Sequence, residues 1–246
     1  MEVHAHTHTA RKKWTHYFWE FLMLFLAVFC GFLAEYQLEH KIEHDREKQY
    51  MKTLVEDLKA DTTNYNTTLR FWKQTDSAIA VNRPLIKPPI AKENISKAYR
   101  LAAALMNSDE FVYNDRTIEQ LRGSGSFRLI RNDSISGSLI RYDSYIRNSL
   151  RSQEKFSQNI LQNLLHIQNE IFDSELLESY FINNSAGNYE HLLKEINPSK
   201  NDLLFKYYNE IFLYKSIIYY IIISETRLKQ KAIALIELIK RSYHLK

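Results

Sequence analysis

The sequence predicts an all-α protein, with one N-terminal transmembrane helix that continues into a polar stalk and an antiparallel helical bundle. Three observations predict this fold class. Residues 21–34 form an uninterrupted apolar run that stands out in the 246-residue chain. The chain has 5 glycines and 4 prolines, which favours long helices, because these residues are the main breakers of regular structure. Apolar residues recur at helical spacing through most of the remainder.

The apolar run is long enough to cross a membrane once its aromatic flank is included. From Trp14 the segment covers about 21 residues, which at about 1.5 Å per residue matches the roughly 30 Å of a bilayer core. A cleaved signal peptide is the rival interpretation, but no small-x-small cleavage site follows Ala34. Glu20 is unfavourable in a bilayer, yet it lies near the end of the run and the many Leu, Phe and Val residues outweigh its cost. The sequence therefore predicts an uncleaved anchor.

Charges on the two sides of the anchor predict its orientation. Residues 11–13 are Arg-Lys-Lys, whereas residues 35–47 on the other side are rich in Glu. By the positive-inside rule we expect the N-terminus in the cytoplasm and the C-terminal domain in the periplasm, with the anchor in the bacterial inner membrane. The expected organisation is a cytoplasmic tail at 1–13, a transmembrane helix at 14–36, a polar stalk at 37–50 and a helical bundle at 51–246.

The amino-acid composition limits the kinds of protein and partner that are consistent with this chain. Hydrophobic residues make up 45% and charged residues 25% of the chain, as in an ordinary globular domain. The net charge of +4 is small and dispersed, which disfavours a nucleic-acid partner. The single cysteine, Cys30, lies in the anchor, so the bundle is expected to fold without a disulfide. The expected partners are the lipid bilayer and either further copies of the chain or other membrane or periplasmic proteins.

The first helix is expected to run from the anchor through the stalk into an amphipathic stretch. Its apolar seam has a three- and four-residue spacing and consists of Met51, Leu54, Leu58, Tyr65 and Trp72. Two polar residues, Asp61 and Thr68, fall in the same register. A proline-rich breaker at 82–89 ends the helix.

Shorter elements are expected next. The pattern predicts a helix at 93–106, a loop at 107–115 and a brief helix at 117–122, in which Thr117 and Gln120 would form a capping box. A turn is expected at 123–126.

Two long helices complete the predicted bundle. The first follows a cap at Asn132, carries apolar residues that include Phe156, and is expected to continue past Ile171 to about Phe181. A short helical piece at 189–196 leads to the last helix, 201–243, where Glu225 is the only exception to a regular apolar register. A second membrane span at 211–223 is the alternative, but this apolar stretch is too short and contains a lysine, so a buried core helix is favoured.

Two blocks of sequence resemble a known family. Residues 17–35, continuing into 50–58, and the block 116–130 are similar to those of a family of uncharacterised single-span bacterial membrane proteins with a helical extracytoplasmic domain. The N-terminal block is the more distinctive of the two. The family has no assigned activity, so the resemblance implies a topology and no mechanism.

Histidines are the first candidate site residues. His4, His6 and His8 alternate in the N-terminal tail, where they either chelate a transition metal or belong to a neutral polar tail. His40 and His44 are one helical turn apart, but a zinc site needs further ligands that the sequence does not indicate, so a solvated stalk is favoured. The sequence thus predicts no metal site and no cofactor.

A basic stripe is the second candidate. Arg147, Arg151 and Lys155 recur every four residues and form a possible anion or partner patch, the alternative being a solvated helix face paired with nearby Asp and Glu. The Gly-Ser-Gly-Ser sequence at 123–126 lacks the Gly-Lys-Ser/Thr and the preceding strand of a phosphate-binding loop, so a helix–helix turn is favoured. No catalytic motif is recognisable, and the sequence predicts that the protein is not an enzyme.

The leading functional hypothesis is a membrane-anchored helical scaffold, interaction or sensor-like module. The alternative is an oligomeric membrane assembly or pore formed through the N-terminal helix. Ala27 and Gly31 form a small-x-x-x-small pair that permits close helix approach, and Glu20 repeated around a ring would attract cations.

Overall fold

The computed structural model describes residues 14–188, 193, 196 and 198–245. Its helices are α1 (Trp14–Asn82), α2 (Ile95–Leu105), α3 (Arg116–Gly123), α4 (Asp133–Ile171), α5 (Ser174–Asn183) and α6 (Asn201–Tyr243). Short 3₁₀ segments occupy Arg83–Ile86, Lys92–Asn94, Ser126–Leu129 and Pro198–Lys200. No residue in the described ranges lies in a strand, and the predicted all-α fold class is confirmed.

The chain divides into two compact units, with the boundary inside α1 between Gln49 and Tyr50. In the first unit α1 exposes its large apolar side chains, with Phe21 65% and Phe32 70% exposed. Its most apolar window has a mean hydropathy of 2.0, and none of that window is buried. Among the described residues, α1 is the one helix long and apolar enough to cross a membrane.

In the second unit, the remainder of α1 buries the predicted seam. The predicted apolar residues Met51, Leu54, Leu58, Tyr65 and Trp72 are all buried. Asp61 and Thr68, the two polar residues in this register, are also buried, with exposed fractions of 0% and 2%. A buried polar side chain needs a hydrogen-bond partner, so these positions point to specific contacts inside the bundle.

Helix α6 buries one residue every three or four positions along most of its length. The buried set consists of Leu204, Tyr207, Ile211, Tyr214, Ile218, Ile221, Glu225, Leu228, Ala232, Leu235 and Ile239. The segment 211–223 is thus packed inside the bundle through four of its residues, as expected for a core helix. Glu225 occupies a position of the seam that is otherwise filled by Leu, Ile, Ala or Tyr.

The second unit contains two hydrophobic cores that share the three long helices. The first core joins residues 51–69 of α1, the start of α4 and residues 228–239 of α6. The second core joins the end of α1 in this unit, the end of α4 and residues 204–221 of α6, with α2 and α5 packed around them. Because α1 and α4 pass from the first core to the second while α6 passes the other way, α6 is antiparallel to both.

Helix α4 is shorter than the sequence suggested. It ends at Ile171, and Phe172 adopts an extended conformation. The side chain of Asp173 then caps α5 by accepting hydrogen bonds from the backbone N–H groups of Glu175 and Leu176, both at 3.1 Å. The expected continuation to Phe181 was wrong, because this local cap starts a new helix.

Other local expectations have mixed outcomes. Asn132 caps α4 as predicted, accepting from the N–H of Ser134 at 3.0 Å. Gly125 adopts φ 65° in the predicted turn after α3, a conformation that glycine tolerates best. The capping box at Thr117 was wrong, since α3 begins at Arg116 and the N–H of Thr117 donates to Asp57 of α1. The expected short helix at 189–196 falls mainly outside the described residues.

Candidate functional site

The two cores meet at a waist, which we define as residues 147–163 of α4 and 216–225 of α6. None of the described side chains of α4 in this stretch is fully buried, whereas Ile146 and Leu164 on either side of it are 0% exposed. Phe156, expected in the apolar seam, is 61% exposed, so that expectation was wrong. The apolar core is therefore interrupted at the middle of α4.

A groove of about 700 Å³ opens between α4 and α6 at the waist. Its volume falls in the range of roughly 300 to 1,000 Å³ that is typical of small-molecule sites. The lining from α4 consists of Tyr145, Asn148, Ser149, Ser152, Gln153 and Phe156. The lining from α6 consists of Ser216, Ile217, Tyr220, Ile221 and Ser224. Hydroxyl, amide and aromatic side chains therefore face the same space.

Hydrogen bonds organise the polar wall of the groove. The hydroxyls of Ser149 and Ser224 are 2.8 Å apart and link α4 to α6. Gln153 Nε2 donates to Ser149 Oγ at 3.4 Å, a long contact. The Ser216 hydroxyl donates to the carbonyl oxygen of Phe212 at 3.0 Å. Because a hydroxyl has one proton and two lone pairs, the Ser216 oxygen retains acceptor capacity for a further donor.

A second polar contact crosses the bundle beside the groove. Glu225 follows the groove residue Ser224, and its Oε2 accepts a 2.6 Å hydrogen bond from Thr68 Oγ1 of α1. Burial raises the pKa of Glu225 to about 7, although the hydrogen bond from Thr68 opposes this shift. Burial therefore favours the protonated form of this carboxyl group.

Two further aspartates of α1 hold the loop before α3 against the bundle. Asp61 Oδ1 accepts from the N–H of Asn114 at 2.9 Å, and its Oδ2 accepts from the Tyr142 hydroxyl at 3.0 Å. Burial raises the pKa of Asp61 to about 6, against the effect of these hydrogen bonds. Asp57 accepts from the backbone N–H of Thr117 at 2.9 Å. These contacts are satisfied within the fold, which indicates a structural role.

The predicted basic stripe is divided by an ion-pair network. Arg147 is 39% exposed and donates to Asp143 Oδ1 and Asp115 Oδ2, both at 2.9 Å. Arg151 and Lys155 are exposed, and neither forms an ion pair with any described residue. Arg147 thus forms ion pairs with carboxylates of the same unit, whereas Arg151 and Lys155 do not. The three residues therefore differ in their surroundings.

The residues of the expected oligomerisation face lie on the exposed surface of α1 in the first unit. Ala27 and Gly31 are both exposed. A Cβ added to Gly31 would meet no atom within 4 Å. This face is sterically open to a neighbouring helix.

The described histidines do not assemble a metal site. Among the described residues no group of three or more His, Cys, Asp or Glu side chains is placed to hold a metal ion. His40 packs edge-on against Tyr36 with ring centroids 4.2 Å apart, and His44 Nδ1 lies 3.6 Å from Glu47 Oε2. The alternating His4, His6 and His8 lie outside the described residues.

No protein family, curated protein or solved structure matches the chain. The resemblance of residues 17–35 and 116–130 to a family of single-span membrane proteins therefore stays a prediction.

Sequence reasoning missed the groove, because a groove depends on which faces of two distant helices meet. One signal was present in the sequence. Residues 148–153 of α4, Asn-Ser-Leu-Arg-Ser-Gln, contain a single apolar residue within an otherwise regular apolar register. A gap of this kind on a long core helix indicates a place where packing against the neighbouring helix is incomplete.

Proposed function

We propose that the protein is a single-pass, membrane-anchored helical binding module, a scaffold or sensor of the bacterial inner membrane, and not an enzyme. The observation that carries this proposal is the exposed apolar surface of α1 in the first unit. A soluble protein rarely exposes a contiguous apolar patch larger than a few hundred Å², whereas a bilayer would cover such a surface favourably.

The charge distribution supports the proposed orientation. Arg-Lys-Lys at 11–13 precedes the apolar run, and the positive-inside rule favours the cytoplasm for that flank. The helical bundle would then lie in the periplasm. A domain with no cysteine beyond residue 30 needs no oxidising machinery to fold there.

The chemistry of the groove supports a binding role. The side chains that line it include no carboxylate, imidazole, amine or thiol. The serine hydroxyls of the lining therefore have no base beside them in the groove of the kind that activates a catalytic serine. Neutral polar groups together with aromatic surface are typical of a site that recognises a ligand without transforming it.

Membrane fractionation with sodium carbonate tests the anchor. We expect the full-length chain to stay in the membrane pellet and the double variant Leu24→Arg/Val28→Arg to be released, because each charge at the centre of a span costs about 2.5 to 3.5 kcal/mol. Leu38→Arg is the matched control, since Leu38 is 59% exposed on the same helix but lies beyond the apolar run. Release of the unmodified chain would refute the proposal.

An oligomeric membrane assembly or pore is the second candidate function. The open surface at Ala27 and Gly31 favours it, because small residues let two helices approach closely in a bilayer. Glu20 would supply a ring of carboxylates in such an assembly. The rest of the apolar run consists largely of bulky Phe and Leu, the usual lipid-facing residues, so we favour the tethered binding module.

A further inference from the structure

We propose that the groove between α4 and α6 binds an uncharged saccharide. The proposal deepens the binding role proposed above by naming the class of ligand, and it rests on that role. It does not depend on the orientation of the anchor.

The polar lining matches the hydrogen-bonding character of a sugar. Ser149, Ser152, Ser216 and Ser224 supply hydroxyls, and Asn148 and Gln153 supply amides. Each of these groups both donates and accepts hydrogen bonds, as each sugar hydroxyl does. No lining side chain carries a formal charge at neutral pH, so the groove offers no counter-charge to an ionic ligand.

The aromatic lining matches the apolar face of a sugar ring. Tyr145 is 50%, Phe156 61% and Tyr220 77% exposed. Aromatic rings bring large apolar contact surfaces to a binding site, and the axial C–H groups of a pyranose form a flat apolar face that stacks on them. The aromatic side chains can thus contact the apolar face of a sugar ring, while the neutral polar side chains beside them form hydrogen bonds with its hydroxyl groups.

The size and shape of the groove indicate a short oligosaccharide. A volume of about 700 Å³ is ample for more than one sugar ring. The groove follows two long antiparallel helices, and its lining extends over about three turns of α4, from Tyr145 to Phe156, and about two turns of α6, from Ser216 to Ser224. An elongated ligand would contact both ends of this lining.

Other ligand classes fit less well. An acyl chain would cover the side chains of Asn148 and Ser152, which have no hydrogen-bond partner among the described residues, without pairing with them, and an unpaired buried polar group is unfavourable. An anionic ligand would need a cation, but no Lys or Arg among the described residues lines the groove: Arg147 is engaged by Asp143 and Asp115, and Lys231 Nζ lies 4.8 Å from the centroid of the Tyr145 ring. An amphipathic helix of a partner protein is the remaining alternative, and the experiment includes it.

Ligand-observed NMR on the full chain in lipid nanodiscs tests the proposal, with maltotriose and tri-N-acetylchitotriose as probes and empty nanodiscs as the blank. We expect saturation transfer to at least one of the two probes. Tyr220→Ala should raise its Kd by about tenfold, in line with the loss of an aromatic contact. Tyr219→Ala is the matched control, since Tyr219 is 62% exposed on the same helix but does not line the groove. Ser152→Trp should abolish binding by filling the groove.

Three results would overturn the proposal. The first is the absence of binding by both saccharides at about 10 mM, a concentration that would still reveal a Kd in the millimolar range. The second is an equal effect of Tyr219→Ala and Tyr220→Ala on the Kd. The third is crosslinking from position 152 to a helical partner protein while both saccharides fail to bind. None of these results would alter carbonate extraction, so failure here is distinguishable from failure of the membrane-anchor proposal.

Discussion

Thr68 of α1 and Glu225 of α6 form a buried hydrogen bond of 2.6 Å between helices that are far apart in sequence. Each residue belongs to a buried seam of its own helix, and the other residues of that seam are mostly apolar. Because a buried polar side chain is costly without its partner, the pair favours one axial alignment of α6 on α1.

Glu225 makes the stability of the bundle depend on pH. Burial raises its pKa from 4.5 to about 7 in the folded state. Between these values the folded state keeps a proton that the unfolded state releases, so stability should fall as pH rises through this window. We expect a loss on the order of 2 to 3 kcal/mol between about pH 5 and pH 8, measured by urea denaturation of a fragment that begins at Tyr50.

Glu225→Gln should remove most of this pH dependence, because an amide accepts the Thr68 hydrogen bond but does not titrate in this range. Asp61, whose pKa is raised to about 6, contributes with the same sign and should leave a smaller residual slope. Glu237→Gln is the control, since Glu237 is exposed on the same helix. An unchanged pH profile in Glu225→Gln would contradict the assignment.

Ile218→Ala should lower the free energy of unfolding by about 2 to 5 kcal/mol, as expected for a cavity in a packed core. Ile218 is 0% exposed in the second core. Leu213→Ala on the same helix is the control, because Leu213 is 44% exposed and its truncation should cost less than about 1 kcal/mol. Chemical denaturation followed by circular dichroism measures both, and similar losses would argue against the assigned helix face.

Asp143→Asn should destabilise the bundle by about 1 to 3 kcal/mol, because it weakens several charge-assisted hydrogen bonds at once. Asp143 is 5% exposed and accepts from Arg122, Arg147 and the Tyr113 hydroxyl. The control is Glu154→Gln, an exposed position on the same helix. Thermal or chemical unfolding that leaves Asp143→Asn as stable as Glu154→Gln would show that the network contributes little.

A cysteine at Ser199, in a Cys30→Ala background, should react with a membrane-impermeant maleimide in intact spheroplasts. Ser199 is exposed in the second unit, and the proposed orientation places that unit in the periplasm. Cys30→Ala without the new cysteine is the control for background labelling. Labelling that requires lysis would reverse the topology.

Gly31→Leu should reduce crosslinking between copies in membranes while insertion stays normal, if the small-residue face of α1 mediates association. Nothing lies within 4 Å of a Cβ at this position, so the substitution should not perturb the single chain. Phe29→Leu is the control, because two residues along a helix lie on roughly opposite faces. An unchanged crosslinking pattern would remove the main support for a pore.

Elements governed by local chemistry were predictable from the sequence. The α1 seam from Met51 to Trp72, the cap at Asn132 and the extent of α6 follow from spacing and side-chain chemistry within a few turns of chain. The end of α4 at Ile171 was not predicted, although the capping residue Asp173 is only two positions away. The apolar spacing continues past Asp173, so the sequence pattern resembles one continuous helix.

The sequence by itself determined the helical class, the apolar segment and the three seam positions, Asp61, Thr68 and Glu225, where a polar residue interrupts the apolar pattern. Only the tertiary structure decided that Thr68 pairs with Glu225, that Arg147 engages Asp115, and that Phe156 lies beside a groove. The physical reason is that a helical register specifies the face of a residue on its own helix. Which faces meet depends on how α1, α4 and α6 align along one another, and that alignment is set by contacts between residues distant in sequence.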